Sequence, residues 1–559
     1  MEENFDFIVV GSGGGSMCAA LLMRTLGKSA LVLEKTDKLG GTTAMSGGVM
    51  WLPNNRFMAE DGVEDSHEKA MTYLENLVGN ELPGTPRERK HAYLTEGRKM
   101  VDFLLGQGIK LRRIKYYPDY YDDEPGGSVD SRAVIAEIFD ANQLGEWADK
   151  LRPGFRRMPA ALDEMMMMGN FKNSWRSKLM IFRVGLRMMK ARLLGQRWVN
   201  GGECLQARML QASLKAGVDL RINAGVTQLL TDGSGRVTGV VASIDGKERQ
   251  IGARLGVLIN AGGWARNQRM RDKYRPGSSV HWTNANPGDT GEMIEEGIRI
   301  GAAMGHMDQL LGSPMAMPPG QKDDDLHPMS QTEMSKPHSI LVDQSGVRYM
   351  REAVSYMEIC QNMFARNLEV PAIPSWLILD TQYLEKYMLA GTMPGTNKPQ
   401  AWFDSGFVRK ADTVADLAKA CKIDPAALTT QVDRFNGFVR NNRDEDFHRG
   451  EREYDRFVGD PENKPSPTMG TIEKAPFYAV QIVPGDLGTL GGFVTDEHAR
   501  VKREDGSIIE GLYATGNSTA SVMGTFYPGA GATVGPSFVW GYVAAKHAAN
   551  ADNLAMAAQ

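Results

Sequence analysis

The stretch that most restricts the fold of this chain is Phe7–Glu34. Phe7–Val10 is a short apolar run that stops at a glycine, the pattern of a buried parallel strand. It leads into Gly11-Ser12-Gly13-Gly14-Gly15-Ser16. A helix is predicted from about Met17 to Leu26, and a second apolar strand over Ser29–Leu33 ends at Glu34. Strand, glycine turn, helix, strand and acid in this order make a dinucleotide site. Gly11 permits the tight turn, and Gly13 lets the backbone approach a diphosphate seated on the helix N-terminus. Gly14 and Gly15 continue the bare loop. Ser16, where glycine or alanine is usual, is still small enough for close helix–strand packing. Glu34, about 20 residues on, is placed to accept from a ribose hydroxyl, with Lys35 beside it.

The next segment narrows the dinucleotide. Lys38-Leu39-Gly40-Gly41-Thr42-Thr43-Ala44-Met45-Ser46-Gly47-Gly48 is a second loop rich in small residues. A chain that runs along the flavin end of FAD needs such a loop. Gly41, Thr42, Thr43, Ser46, Gly47 and Gly48 are therefore candidate FAD contacts. Strands are predicted at Val226–Leu230, Arg236–Val241 and Val257–Asn260, the last running into Ala261 and Gly262. A further strand, Gly511–Ala514, ends at Gly516-Asn517. Val226, Ala261, Gly262, Gly516 and Asn517 join the candidate cofactor contacts. The expected fold is α/β. A discontinuous two-dinucleotide-binding, Rossmann-like FAD domain is built from residues 1–279 and 485–559. An α+β substrate and catalytic domain, 280–484, is inserted between them.

Length supports more than one domain: 559 residues exceed a single compact core. The net charge of −4 gives no reason to expect a nucleic-acid partner. Cys18, Cys204, Cys360 and Cys421 are scattered, with no metal spacing, and read as free thiols of a reducing compartment. MEENFDF lacks a positive n-region, and no apolar run is long enough to span a bilayer, so a cytoplasmic protein is expected.

The C-terminal motif is the most specific. Tyr527-Pro528-Gly529-Ala530-Gly531-Ala532-Thr533-Val534-Gly535-Pro536 precedes an apolar helix reaching about Ala549. Pro536 suits its first turn. The helix N-terminus, with Gly531, Ala532 and Val534, would lay N–H groups against the flavin pyrimidine, and Tyr527 with the Gly531 N–H could hold a carbonyl oxygen.

These motifs resemble the fumarate reductase and 3-ketosteroid dehydrogenase family of flavoproteins over nearly the whole chain. The Tyr527–Pro536 run is similar to the hallmark of the 3-ketosteroid Δ1-dehydrogenases. Tyr117-Pro118-Asp119-Tyr120-Tyr121 resembles that family's PDY segment, which makes Tyr120 the match for an active-site tyrosine, with Tyr117 and Tyr121 as alternatives. Arg348–Tyr356 resembles the RF-x-NE-x-x-x-Y segment, with Tyr356 at the catalytic base and Arg351 where asparagine is common. The resemblance implies noncovalent FAD, because Leu39–Trp51 lacks the histidine of covalent members. It also implies a 3-ketosteroid substrate, an acceptor of electrons that the sequence does not name, and no metal. A 5α-type 4-dehydrogenase, a fumarate reductase-like enzyme and a non-catalytic flavoprotein of the membrane surface are the alternatives.

Within the inserted segment, a helix opening at Gly288–Met293, a hairpin of Ile340–Val342 with Val347–Met350, and helices at Ala353–Phe364, Ala411–Cys421 and Pro425–Asn442 are predicted. One stretch stands apart. Residues 165–202 hold no acid but eight basic residues: Lys172, Arg176, Lys178, Arg183, Arg187, Lys190, Arg192 and Arg197. Trp175, Leu179, Phe182, Leu186, Met189 and Leu193 recur at helical spacing as one stripe. Such a helix either packs its stripe on the core or lies in a membrane interface. The second reading puts the chain in peripheral contact with the inner face of the cell membrane through about 165–200, and favours a cholest-4-en-3-one type of substrate. The motifs divide the labour. A substitution at Gly13 is expected to cost FAD retention, whereas Tyr356→Phe leaves the protein yellow and abolishes turnover. Flavin absorbance of each purified variant separates the two.

Overall fold

In the computed structural model, residues 3–155, 157–169, 174–322 and 325–550 are described. The opening strand, Glu3–Val10, is central to the main sheet and pairs in parallel with Ala30–Leu33 on one side and with Lys247–Ile259 on the other. Asp219–Arg221 and Ile508–Ala514 extend the parallel order outward, and Arg500–Lys502 closes it antiparallel. Phe7–Val10 and Leu31–Leu33 are almost fully buried, which is why they read as continuous apolar runs. Ala224–Thr231 and Val237–Ile244 form an antiparallel ribbon on the N-terminal half of Lys247–Ile259, so this one long strand serves both the ribbon and the parallel sheet. The topology is the expected one for the α/β dinucleotide fold.

A second, five-stranded antiparallel sheet carries the inserted segment: Leu310–Ala316, Phe477–Thr489, Ser375–Asp380 and Ser339–Val342, with Val408–Ala411 on Phe477–Thr489. Phe477–Thr489 runs straight through the expected boundary at 484/485.

The elements depart from the sequence reading in three informative places. The first helix is Gly14–Thr25, so Gly14, Gly15 and Ser16 are its first turn rather than loop. Glycine is a weak helix former, but here its bareness is used: a Cβ on Gly14 would meet the Phe538 ring at 2.2 Å. Residues 41–45, read as loop, form a short helix, Gly41–Met45. The predicted hairpin is reduced to a tight turn through Gly346, closed by one antiparallel bridge from Val342 to Arg348. The full ladder of Ser339–Val342 is with Ser375–Asp380, and the Asp343 carboxylate takes the N–H groups of Ser345 and Val347. The helices at Pro425–Arg440, capped by Asp424, and Val534–Ala548, with Pro536 in its first turn, follow the sequence closely.

The two ends of the chain meet through the first and last helices. The Gly15 N–H donates to Ser537 Oγ at 3.2 Å. A Cβ on Gly15 would stand 2.1 Å from the Ser537 carbonyl oxygen, and one on Gly541 would stand 2.2 Å from that of Gly15. Backbone-to-backbone packing of this kind admits no side chain. Gly541→Val is expected to cost about 3 kcal/mol by forcing the helices apart, seen as a lowered melting temperature together with loss of flavin absorbance.

Candidate active site

Three helix N-termini converge where the first strand ends. Gly13 caps the first helix with no side-chain acceptor. Gly41, which opens the second helix, has its Cβ position 3.7 Å from the Gly13 Cα. The last helix arrives through Ser537. Gly11 adopts φ +90°, and a Cβ there would meet the Asn260 carbonyl oxygen at 2.3 Å. Bare backbone and three positive helix ends suit a diphosphate. Thr43 Oγ1 accepts from the Gly14 N–H, and Thr42 Oγ1 accepts from the backbone and side chain of Asn286. Ser46 Oγ donates to the Thr43 carbonyl and accepts from Gly48 N–H. The Gly201–Lys215 helix presses on this loop, with the Gly48 Cβ position 2.4 Å from the Gly201 carbonyl carbon and that of Gly47 against Leu162.

At the sheet's end, Glu34 Oε2 accepts from Ser12 Oγ at 2.6 Å, and Oε1 accepts from the Thr36 N–H and hydroxyl. Oε2, with one donor, keeps a lone pair for a ribose hydroxyl. Lys35 departs from the expected role: its ammonium turns away to Thr290 Oγ1 at 2.6 Å and Glu292 at 2.9 Å. Arg152, which the sequence reading did not single out, donates to Thr36 Oγ1 beside Glu34 and has a buried Nε with no partner. Val226 is buried in the ribbon strand. Ala261 donates its N–H to Ser518 Oγ, and Gly262 takes φ +79° against Asp289. Gly516, Asn517, Ala532, Thr533, Pro536 and Trp540 share the wall of one cavity. The buried Trp540 Nε1 in that wall, and both polar atoms of Gln206 behind Gly40, are unpartnered. A cradle of bare backbone with orphaned donors fits an extended, polar-ended cofactor such as FAD.

The three tyrosines named from the sequence come together. Ring centroids lie 5.0 Å apart for Tyr356 and Tyr527, and 5.7 Å from Tyr120 to each of them. All three are buried. The Tyr356 hydroxyl interacts with that of Tyr527, whose oxygen lies 3.3 Å from Thr533 Oγ1 and faces the N–H groups of Gly531 and Thr533. The Gly531 N–H and the Tyr527 hydroxyl therefore lie side by side. Tyr120 touches Tyr356 edge to face, and its hydroxyl interacts with Tyr117 and Tyr454, whose rings pack on it. Tyr454, 4.4 Å from Tyr120, is a residue the sequence reading missed. Its surroundings, Arg452-Glu453-Tyr454-Asp455, carry no signal of a site. Tyr121 turns away to Ser355 and Glu358. Burial pushes the Tyr120 and Tyr356 hydroxyls well above the usual tyrosine range, while the amides at Tyr527 oppose the rise there.

Each ring is braced from behind. Tyr356 opens the Tyr356–Asn367 helix, and Arg348 just before it is buried between Glu352 and Asp444, each at 2.7 Å. The Pro528 carbonyl accepts from Tyr73 Oη at 2.7 Å and from Tyr120 N–H at 2.9 Å, tying two of the tyrosine segments together. Asp119 accepts from Trp51 Nε1 at 2.7 Å and from Arg132 at 2.8 Å, and Arg132 is paired with Asp65. Burial lifts the Asp119 carboxyl to about 6 against the pull of Arg132.

A sequence model of the FAD binding domain matches residues 6–534. The 3-oxosteroid 1-dehydrogenase of Mycolicibacterium smegmatis is 39% identical, over 97% of this chain and 97% of its own length. The chain belongs to this family of FAD-binding flavoproteins. Its fold overlays the crystal structure of 3-ketosteroid delta1-dehydrogenase from Sterolibacterium denitrificans in complex with 1,4-androstadiene-3,17-dione, with a TM-score of 0.92 at 35% identity, covering 98% of this chain and 100% of that one. The 4-oxocyclohexanecarboxylate 2-dehydrogenase of Sinomonas cyclohexanicum is 32% identical, over 98% of the flavoprotein described here and 93% of its own length.

In this flavoprotein Asp119 and Arg132 hold Tyr120 and Trp51 from outside the cluster. Asp119→Ala strips the buried guanidinium of one partner. It is expected to destabilise the fold by about 3 kcal/mol and to lower turnover more than tenfold with the flavin spectrum intact. Thermal melts and single-turnover kinetics of the same preparation check both.

Proposed function

We propose that this flavoprotein catalyses FAD-dependent 1,2-dehydrogenation of a 3-ketosteroid, converting a 3-oxo-4-ene into a 1,4-dien-3-one. The observation that carries the reading is the closed cluster of Tyr120, Tyr356 and Tyr527 with the Gly531 amide aimed at Tyr527. A neutral flat ketone suits these uncharged rings.

The Tyr527 hydroxyl and the Gly531 N–H hold the C3 carbonyl oxygen and stabilise the enolate that develops there. C2 becomes acidic, and Tyr356 takes its proton. Tyr120, packed between Tyr117 and Tyr454, closes the cluster around the base and excludes water. Bound FAD supplies the acceptor for the C1 hydrogen as hydride. It is held without a covalent link, by the cradle from Gly11 to Gly48 and the last helix. Division into an FAD part, residues 1–279 and 485–559, and a substrate part, 280–484, is part of this proposal. A free tyrosine titrates near pH 10. Burial raises Tyr356 above that, so it is protonated at neutral pH and its basic fraction grows as pH rises. Turnover is expected to climb through the alkaline range, and the climb is absent in Tyr356→Phe.

The basic insertion supports a membrane contact. The helix forms over Trp175–Leu193 as predicted, but its apolar stripe faces outward. Trp175 is 83% exposed, Phe182 63% and Leu193 85%, and the helix's buried residues are Ser177, Val184 and Ala191. Arg187 turns in to Glu164, whereas Arg176, Lys178, Arg183, Lys190 and Arg192 stay beside the stripe. Lys172 lies outside the described residues. No helix among the described residues is long and apolar enough to cross a membrane. An apolar face of this size, edged with cations, suits the interface of an anionic bilayer. Such docking would admit a sterol with its whole side chain.

Anaerobic mixing with androst-4-ene-3,17-dione or cholest-4-en-3-one is expected to bleach the flavin and yield a C1 double bond. No bleaching with either, or bleaching only with 4-oxocyclohexanecarboxylate, overturns the steroid reading. The triple change Leu179→Ser, Phe182→Ser, Met189→Ser is expected to reduce binding to phosphatidylglycerol vesicles at least tenfold in a flotation assay. Unchanged binding ends the membrane reading.

A further inference from the structure

Six arginines are buried among the described residues, and five have a carboxylate. Arg113 pairs with Asp61, Arg132 with Asp65 and Asp119, Arg271 with Asp486, Arg348 with Glu352 and Asp444, and Arg449 with Glu352. Arg89 is the exception. It sits in the first turn of the Arg87–Gly106 helix with its side chain run inward to 1% exposure. One guanidinium nitrogen donates to the Gly84 carbonyl at 2.6 Å and to that of Ala520 at 3.1 Å. Its Nε has no partner. The guanidinium carbon lies 4.8 Å from the centre of the Trp540 ring. No carboxylate lies within ion-pair distance of it among the described residues. Asp496 and Glu497 act on it only from afar, and burial draws it down to about 10.

An unpaired cation in a low-dielectric interior costs several kcal/mol. Two carbonyl oxygens and one aromatic face offset part of that. The remainder points to a negative charge that the polypeptide does not supply. The cavity wall shows where it would sit. Trp540, on which Arg89 stacks, lines the cavity of the last helix's N-terminus. Thr519 and Ser521, on either side of the Ala520 carbonyl that Arg89 holds, line it too. One ring and one peptide layer separate the guanidinium from that cavity.

We infer that Arg89 tunes the cofactor electrostatically: its buried charge is balanced by the negative charge that FAD gains on reduction, and so it raises the reduction potential of the bound flavin. The helix N-terminus at Ala532–Pro536 acts in the same sense from the other side of the cavity. Arg89 touches neither substrate nor reacting atoms. It is a tuning residue, and the alternative is a plain staple between Gly84 and Ala520.

Charge and staple separate in a dye-equilibrated reductive titration of the holoenzyme. The titration uses no steroid, so its outcome is independent of the substrate reading. Arg89→Gln keeps hydrogen-bonding capacity without charge, and Arg89→Lys keeps charge without the planar fork. Arg89→Gln is expected to lower the equilibrium constant for two-electron reduction about tenfold, which is about 30 mV. Arg89→Lys is expected to stay within about threefold of the unmodified protein. An unchanged potential in Arg89→Gln with FAD bound overturns the inference, as do equal displacements in both variants. If Arg89→Gln fails to fold, the unmodified protein still tests the idea. A cation-balanced reduced flavin takes up one proton with two electrons, so its potential falls by about 30 mV per pH unit between pH 6 and 8, and a slope of about 59 mV overturns the inference.

Discussion

The contact on which the rest of the molecule depends is the approach of Gly15 to Ser537, 522 residues apart in the chain. It seats the last helix against the first with backbone on backbone. Three helix N-termini then face one space: that of the first helix, that of Gly41–Met45 and that of Val534–Ala548. Their partial charges add, and an anionic cofactor is the group that such an arrangement suits. The same contact carries Gly531 to the strand of Met50 and Trp51, where the Trp51 N–H donates to the Gly531 carbonyl at 3.1 Å. The cofactor cradle and the tyrosine cluster are thus two consequences of one helix packing.

The cluster itself is costly. Tyr120, Tyr356, Tyr527 and Tyr454 are all nearly without solvent, and burial disfavours every phenolate among them. What makes the arrangement serviceable is its bracing. The Pro528 carbonyl binds the Tyr120 segment, Arg348 anchors the turn before Tyr356, and the amides of Gly531 and Thr533 face Tyr527. Rings fixed this way leave little to be ordered when a flat ketone arrives, which is how proximity lowers a barrier. The buried ion pairs around them contribute geometry more than stability, since desolvation consumes much of their attraction.

The glycine turn, the following helix and the acid at Glu34 were legible because each is a local requirement: only certain residues tolerate that backbone or supply that acceptor. The small-residue loop and the Tyr527–Pro536 run were legible for the same reason. Tyr454 was not, because nothing local marks a tyrosine that reaches its partners from the far end of the inserted segment. The hairpin at Val347–Met350 was legible only as a turn with one bridge, because an apolar alternation does not say which strand will take the rest of the ladder. Lys35 misled because its neighbours in sequence are not its neighbours in space. Arg89 was invisible as well, since an arginine in the first turn of a helix reads as a surface residue until its burial is seen.

The insertion shows the division most clearly. Its sequence determined a helix over Trp175–Leu193, a stripe of large apolar side chains and a row of cations beside it, because helical spacing is a property of the chain alone. Whether that stripe turned inward or outward was not in the sequence, since a core face and a membrane face have the same period. The tertiary structure decided it by seating the small residues Ser177, Val184 and Ala191 against the body and leaving Trp175, Phe182 and Leu193 outside. The same holds across the protein. The sequence by itself determined a dinucleotide cradle and three marked tyrosines, through residues whose backbone or chemistry admits few uses. Only the tertiary structure decided which hydroxyl meets which, and which buried charge lacks a partner, because those depend on distances between segments that no local pattern encodes.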